Sequence, residues 1–325
     1  MVTLNQEMIL LPPLKPKETY DAIIVGAGPA GLSAAIYLSR ANLKTLILEA
    51  EKPGGKMLGR HLIQNYPGFQ SIQSLELAEN MVRQAESFGV KIRCPARVVG
   101  FELAGNLKTV RTRDKEFYGK KIVLAMGVQR KKLEIPGAED LLGLGVSYCP
   151  ICDGSLFKGK EVALIGDDEE TIADGLYLSN LVNKIYLIPS SATPKYTQKS
   201  LGNLLSKEKV TVFDGYTVTE ISGRNGVEKV RIRQLKDRKE QEIDVSAVFI
   251  SGAKTPVIGL LSKFGVETDS TGCIKVDRNM ETNIKGVYAV GDVTCDKRYQ
   301  VATSVGQGTT AALHIIQAIH ASNRQ

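Results

Sequence analysis

The sequence predicts an α/β chain built from two doubly wound, three-layer domains, and two observations carry that expectation. Residues 20–49, YDAIIVGAGPAGLSAAIYLSRANLKTLILE, read as strand, glycine turn, helix and strand. The same layout returns about 140 residues later in EVALIG, the helical TIADGLYLSNLV and the strand KIYLI. A duplicated βαβ unit suits two Rossmann-like sheets better than one large one.

At 325 residues, 43% hydrophobic and 24% charged, the chain is long enough for two compact domains. Its longest apolar runs, AIIVG and IVLAMG, fall well short of the roughly 18 residues that argue for a membrane span. Residues 1–19 form an N-terminal extension whose leading MVTLNQEMILLPPLKPKE lacks a basic start and a small-residue cleavage site, so no secretory signal is expected. Five cysteines in a chain this size are odd and sparse, which fits a reducing, cytoplasmic setting better than a disulfide framework. The net charge of +7 would attract an acidic partner at long range. The lysines and arginines are scattered and no zinc-finger or RNA-recognition signature occurs, so no nucleic acid is expected.

Taken in order, DAIIVG is a buried parallel strand leading into GAGPAG. Gly26 permits the tight turn, Gly28 lets backbone amides approach a pyrophosphate, and Gly31 lets helix and strand pack closely. Pro29 and Ala30 open the helix between them, where N-terminal amides face an anion. Glu49 closes the second strand, at the place where an acid binds ribose hydroxyls.

Cys149-Pro150-Ile151-Cys152 has the spacing that closes a small redox-active ring. Half of a zinc site would need two more ligands at metal spacing. Cys94, Cys273 and Cys295 are isolated in the sequence and the three histidines form no such pattern, so no metal is expected. Asp153 follows at once, either as an acid that manages the protons of thiol–disulfide exchange or as a turn residue in DGS.

The second glycine turn fails. After EVALI come Gly166, then Asp168 where a second glycine belongs and Thr171 where a small third residue belongs. Asp167, Asp168, Glu169 and Glu170 stand where a pyrophosphate would lie, and two unit charges at about 4 Å repel by roughly 4 kcal/mol at an effective dielectric of 20. These carboxylates suit the positive end of a helix by ~0.3–1 kcal/mol each, so they read as caps on a helix that no longer binds a nucleotide. A metal site is the sharper alternative, against which stands the divergence of consecutive helix residues.

GAGPAGLSAAIYLSRANLKTLILE, GGKMLGRHLIQNYPGF, CPICDG and the late GVYAVGDV with YQVATSVGQGTTAA together resemble the low-molecular-weight thioredoxin reductases, over nearly the whole chain from about residue 20. The resemblance implies a discontinuous FAD domain, 20–127 and 248–325, with an inserted central disulfide domain, 128–247, that normally binds NADPH. Carried over by position, Gly26, Gly28, Pro29, Ala30, Gly31 and Glu49 would hold the ADP half of FAD. Gly55, Lys56, Asn65, Gly127, Gly291, Asp292, Gln300 and Val301 would line the ribityl chain and flavin. Asn65 and Gln300 also read as ordinary loop hydrogen-bonding residues. Departures are Lys56, where the family commonly has Gln, and Ala125-Met126-Gly127, where it has Ala-Thr-Gly. Cys152 would face the flavin, Cys149 would attack the protein substrate, and Asp153 would be the acid/base.

NADPH-dependent relatives follow the strand after the second turn with a His-Arg-Arg type segment that grips the 2′-phosphate. Here Pro189, Ser190 and Ser191 follow KIYLI, with Lys195 a few residues on. The resemblance therefore implies an FAD-dependent thiol–disulfide oxidoreductase without an NADPH site, resembling the ferredoxin-linked members. An acidic one-electron carrier such as ferredoxin would supply electrons and a thioredoxin-like protein would receive them. One alternative is a diflavin enzyme with a second flavin in the vacated cleft, stacked on Tyr186 or Tyr196; others are a dithiol oxidase and a flavin-bound redox sensor. A homodimer, and hinges near 127 and 248, are carried over with the family.

Overall fold

The computed structural model describes residues 18–59, 62–130, 134–252, 254–256, 261–296 and 298–322. The extension up to residue 17, and Arg60 and His61 of the GGKMLGRHLIQ motif, lie outside them.

The first glycine turn leaves strand Thr19–Val25, which pairs in parallel with Thr45–Leu48 on one side and Glu116–Leu124 on the other. These runs form the centre of a seven-stranded sheet. Glu116–Leu124 is long enough to serve two further partners on one edge. Its first half pairs antiparallel with Lys108–Thr112, and its end pairs in parallel with Val287–Ala289, contributed from near the end of the chain. Side chains alternate across the sheet. Ala22 and Ile24 pack beneath helices Pro29–Arg40, Ser74–Ser87 and Val301–Ser322, while Ile23 and Val25 join Phe101, Val110 and Leu124 on the opposite face.

The second unit is a five-stranded, wholly parallel sheet in the order Val146–Ser147, Ala247–Ile250, Glu161–Ile165, Lys184–Ile188, Val210–Val212. A parallel sheet must be covered on both faces. Helices Glu169–Ser179 and Gln198–Leu205 cover one, through Ile172, Leu178 and Leu204. The antiparallel sheet Tyr216–Ser222, Lys229–Gln234, Glu240–Asp244 covers the other, through Ile221, Val230, Ile232 and Ile243. The charged stretch VEKVRIRQLKDRKEQEID is thus a hairpin, as its alternation predicts.

Strand Ala247–Ile250 pairs with Glu161–Ile165, so residues 248–250 belong to the central sheet and the return crossing falls later than 248. The two crossings meet as a ribbon, Val128–Arg130 antiparallel with Lys254–Pro256.

Helices Pro29–Arg40 and Val301–Ser322 approach so closely that a Cβ on Gly308 would stand 2.2 Å from the Ala30 carbonyl oxygen. Ser33 Oγ donates to the Val305 carbonyl at 3.0 Å across the same seam. We expect Gly308→Ala to lower stability by about 1–3 kcal/mol through overpacking. Gly306→Ala, where a Cβ meets nothing within 4 Å, should be neutral or stabilising. Denaturant unfolding of both variants checks the contrast.

Candidate active site

The first turn is open. Gly26 has φ +106°, and a Cβ there would lie 2.4 Å from the Ala125 carbonyl oxygen. A Cβ on Gly31 would stand 2.1 Å from the Gly26 carbonyl oxygen. Gly28, the N-cap of helix Pro29–Arg40, has nothing in front of its would-be Cβ within 4 Å, and no side chain caps this helix. The space in front of Gly28 is therefore open, which is what a pyrophosphate at this helix start requires. Glu49 stands beside the turn, its carboxylate accepting from Ala27 N at 2.7 Å and Glu51 N at 2.9 Å.

The other expected cofactor residues gather on the same side. Gly55, at φ +57°, lies so close that its would-be Cβ is 3.1 Å from Gly28 Cα. Gly291, at φ +77°, stands against the first turn of the same helix, its would-be Cβ 2.9 Å from Ala30 Cβ. Lys56 Nζ pairs with Asp292 Oδ2 at 2.6 Å. Gly127, at φ +66°, opens the first crossing ribbon, and Val301 begins the last helix, partly buried against the first core. Gln307 escaped the sequence reading. Its Oε1 accepts from Gly291 N at 2.7 Å and its Nε2 donates to Asp296 at 2.8 Å, holding the turn 291–296 to the last helix.

Cys149 and Cys152 are joined as a disulfide. Cys149 is the N-cap of the short helix Pro150–Asp153, its Sγ accepting from Cys152 N at 3.2 Å. Two hydrogen bonds tie its backbone to the acid: Cys149 N donates to Ser147 Oγ at 3.0 Å, and Ser147 Oγ donates to Asp153 Oδ2 at 2.5 Å. Ser147 is buried in the central sheet and carried no sequence signal. From the outer unit, Gln300 Nε2 reaches Cys152 Sγ at 3.6 Å and Cys149 Sγ at 3.9 Å, while its Oε1 accepts from Asn65 Nδ2 at 3.0 Å. Asn65 and Gln300 do bond to each other as loop residues, and that bond aims the Gln300 amide at the disulfide. Burial pushes the neighbouring Tyr299 phenol up to about 12, so it stays protonated; Glu170 of the central unit is among the charges that act on it.

The second turn is closed by its own side chains. Asp168 is the N-cap of helix Glu169–Ser179, and its Oδ1 accepts from both Thr171 N and Thr171 Oγ1 at 2.9 Å. Glu169 serves the neighbouring segment instead: its Oε1 accepts from Thr197 N at 2.7 Å and Ser200 Oγ at 2.9 Å, donors that hold its carboxyl below the usual range. The Asp167 carbonyl takes Lys195 N at 2.5 Å. Residues 195–200 are thereby fastened over the start of this helix. The Tyr186 hydroxyl donates to Glu161 Oε2 at 2.6 Å and its ring packs near Phe213, while Tyr196 is partly buried against the helical face of the sheet.

Cys273 and Cys295, isolated along the chain, are brought together with Asp269 by a parallel bridge between Ile274 and Thr294. Among the described residues this is the one group of three or more such side chains close enough to share an ion.

The family described as pyridine nucleotide-disulphide oxidoreductase matches residues 20–312. The thioredoxin reductase of Bacillus subtilis (strain 168) is 35% identical over 300 residues, 91% of this chain and 93% of that protein. The solved thioredoxin reductase of Streptococcus pyogenes MGAS5005 matches with a TM-score of 0.89 at 32% identity, over 93% of this chain and 99% of that one. A ferredoxin-flavin thioredoxin reductase from Clostridium acetobutylicum matches with a TM-score of 0.51 at 30% identity, over 93% and 99% of the two chains.

Replacing Asp168 by Ala should cost about 0.5–2 kcal/mol by removing the cap, with Asn nearly without effect. Urea unfolding of the two variants provides the check.

Proposed function

The chain belongs to the pyridine nucleotide-disulphide oxidoreductase family, as a thioredoxin reductase-like flavoprotein disulfide oxidoreductase, and from there we propose that its electrons enter from an acidic one-electron carrier of the ferredoxin class instead of NADPH or NADH. One observation carries this reading. The Thr171 amide, one of the helix-start amides that would otherwise face an anion, is already bonded to the Asp168 carboxylate, and Glu169 ties residues 195–200 across the same place. A nucleotide would have to break these bonds and sit among Asp167, Asp168, Glu169 and Glu170, without the arginines that grip a 2′-phosphate. The net charge of +7 favours an acidic donor.

The open first turn fits FAD. Gly26, Gly28, Pro29, Ala30, Gly31 and Glu49 would take the ADP half, and Gly55, Lys56, Asn65, Gly127, Gly291, Asp292, Gln300 and Val301 the remainder. When bound, FAD supplies a centre able to accept electrons singly and deliver them in pairs.

The chain's own residues handle the thiols. Reducing the Cys149–Cys152 bond takes two electrons and two protons, and Asp153, whose carboxylate holds Ser147 against the Cys149 backbone amide, would manage one of those protons. The Cys149 thiolate then attacks the disulfide of a thioredoxin-like partner, expelling one partner thiolate. Cys152 attacks the mixed disulfide, releasing the second and restoring the Cys149–Cys152 bond. The Gln300 contacts hold the pair against the outer unit, so partner access calls for the central unit to turn about the ribbon of Val128–Arg130 and Lys254–Pro256. Outer segments 20–127 and from about 251 onward form the FAD unit in this reading. A homodimer in a reducing, cytoplasmic setting completes it; the free thiols Cys94, Cys273 and Cys295 suit that setting.

Anaerobic stopped-flow mixing of the FAD-loaded protein with each donor tests the proposal. NADPH and NADH should leave the oxidised flavin band standing while reduced ferredoxin bleaches it; rapid bleaching by either nucleotide overturns the reading. Cys149→Ser should abolish reduction of a thioredoxin-like disulfide, measured as loss of new partner thiols, with ferredoxin still bleaching the flavin once.

A further inference from the structure

Three donor side chains outside the disulfide chemistry converge beside the turn 291–296. A carboxylate oxygen of Asp269 and the sulfurs of Cys273 and Cys295 all lie within 4.8 Å of one another. We propose that they bind a thiophilic divalent cation of the zinc class. The site is independent of the electron donor.

The backbone assembles it from two segments. Asp269 Oδ1 accepts from Thr271 N at 2.8 Å, Thr271 Oγ1 at 2.7 Å and Cys273 N at 3.0 Å, and Gly272 at φ +84° lets the loop close. The carboxylate and the first thiol are thereby set side by side. Cys295 comes from the other segment, where Ile274 N donates to the Val293 carbonyl at 2.9 Å and Cys295 N to the Ile274 carbonyl at 3.2 Å. In that parallel register Cys273 and Cys295 are diagonal neighbours on one face.

Diagonal neighbours stand further apart than directly opposed ones. An S–S bond of about 2.05 Å would draw the two segments together, against the backbone bonds that fix them. Two thiolates about 2.3 Å from one tetrahedral ion stand roughly 3.8 Å apart, which needs far less movement. Two sulfurs and one carboxylate select a soft or borderline ion over magnesium or calcium. Cys273 is buried, while Asp269 and Cys295 are half-buried, which leaves a side for ion entry and for water as the fourth ligand. Binding would release the two thiol protons to solvent as two metal–sulfur bonds form, with no electron transferred.

The test titrates Zn2+ into chelator-treated, FAD-loaded, full-length protein whose Cys149–Cys152 bond is intact, against a chromophoric competitor. One Zn2+ per chain is expected. Cys273→Ser and Cys295→Ser should each weaken it by more than the roughly 10–100-fold that losing an outer partner costs. Asp269→Asn, which keeps an oxygen for the loop amides, should weaken it too, and the reduced Cys149→Ser/Cys152→Ser double variant should retain it. Co2+ added to the wild type should give a thiolate-to-cobalt charge-transfer band, a readout that needs no variant to fold. Zinc binding that survives both Cys273→Ser and Cys295→Ser, binding absent from the wild type, or a cobalt spectrum without the sulfur band overturns the proposal.

Discussion

The amide N–H groups that begin every helix have no partner inside it, and the two duplicated helices of this chain meet that demand in opposite ways. Helix Pro29–Arg40 starts at Gly28 with no side-chain cap and open space ahead of it. Helix Glu169–Ser179 starts at Asp168, whose carboxylate already holds the Thr171 amide. One βαβ scaffold thus yields a turn that can receive an anion and a turn that carries its own. The electron path proposed for the protein follows from that difference.

The rest of the site depends on how closely the two sequence-distant parts of the outer unit meet. Gly291 and Gly308 both press against Ala30, which leaves room for no side chain at either position. That seam carries Asp292 to Lys56 and, at the start of the last helix, Gln300 to Asn65. Gln300 then reaches across to the disulfide. A contact between units therefore rests on packing between residues that lie some 270 positions apart, as Ser33 and Val305 do.

Much of this was legible along the chain because the signals are local. The buried strands, the glycine spacing, the CxxC pair and the run of four acids each occupy a few consecutive residues, so type and order suffice to read them. The position of strand Ala247–Ile250 was harder, since an apolar run looks the same whichever sheet receives it. Ser147 and Gln307 were silent for a related reason: a serine in a buried strand and a glutamine in a helix acquire meaning only from what stands opposite them.

By itself, the sequence determined the α/β class, the duplicated units, the disulfide pair and the acid-rich second turn without its second and third glycines, because each follows from steric and electrostatic rules acting within one short segment. Tertiary structure alone decided that Glu169 would fasten residues 195–200, that Gln300 would aim at both sulfurs, and that Cys273 would meet Cys295 beside Asp269. Those outcomes depend on strand register and on helix-to-helix distance. Both are set by the packing of whole layers, which no short stretch of sequence contains.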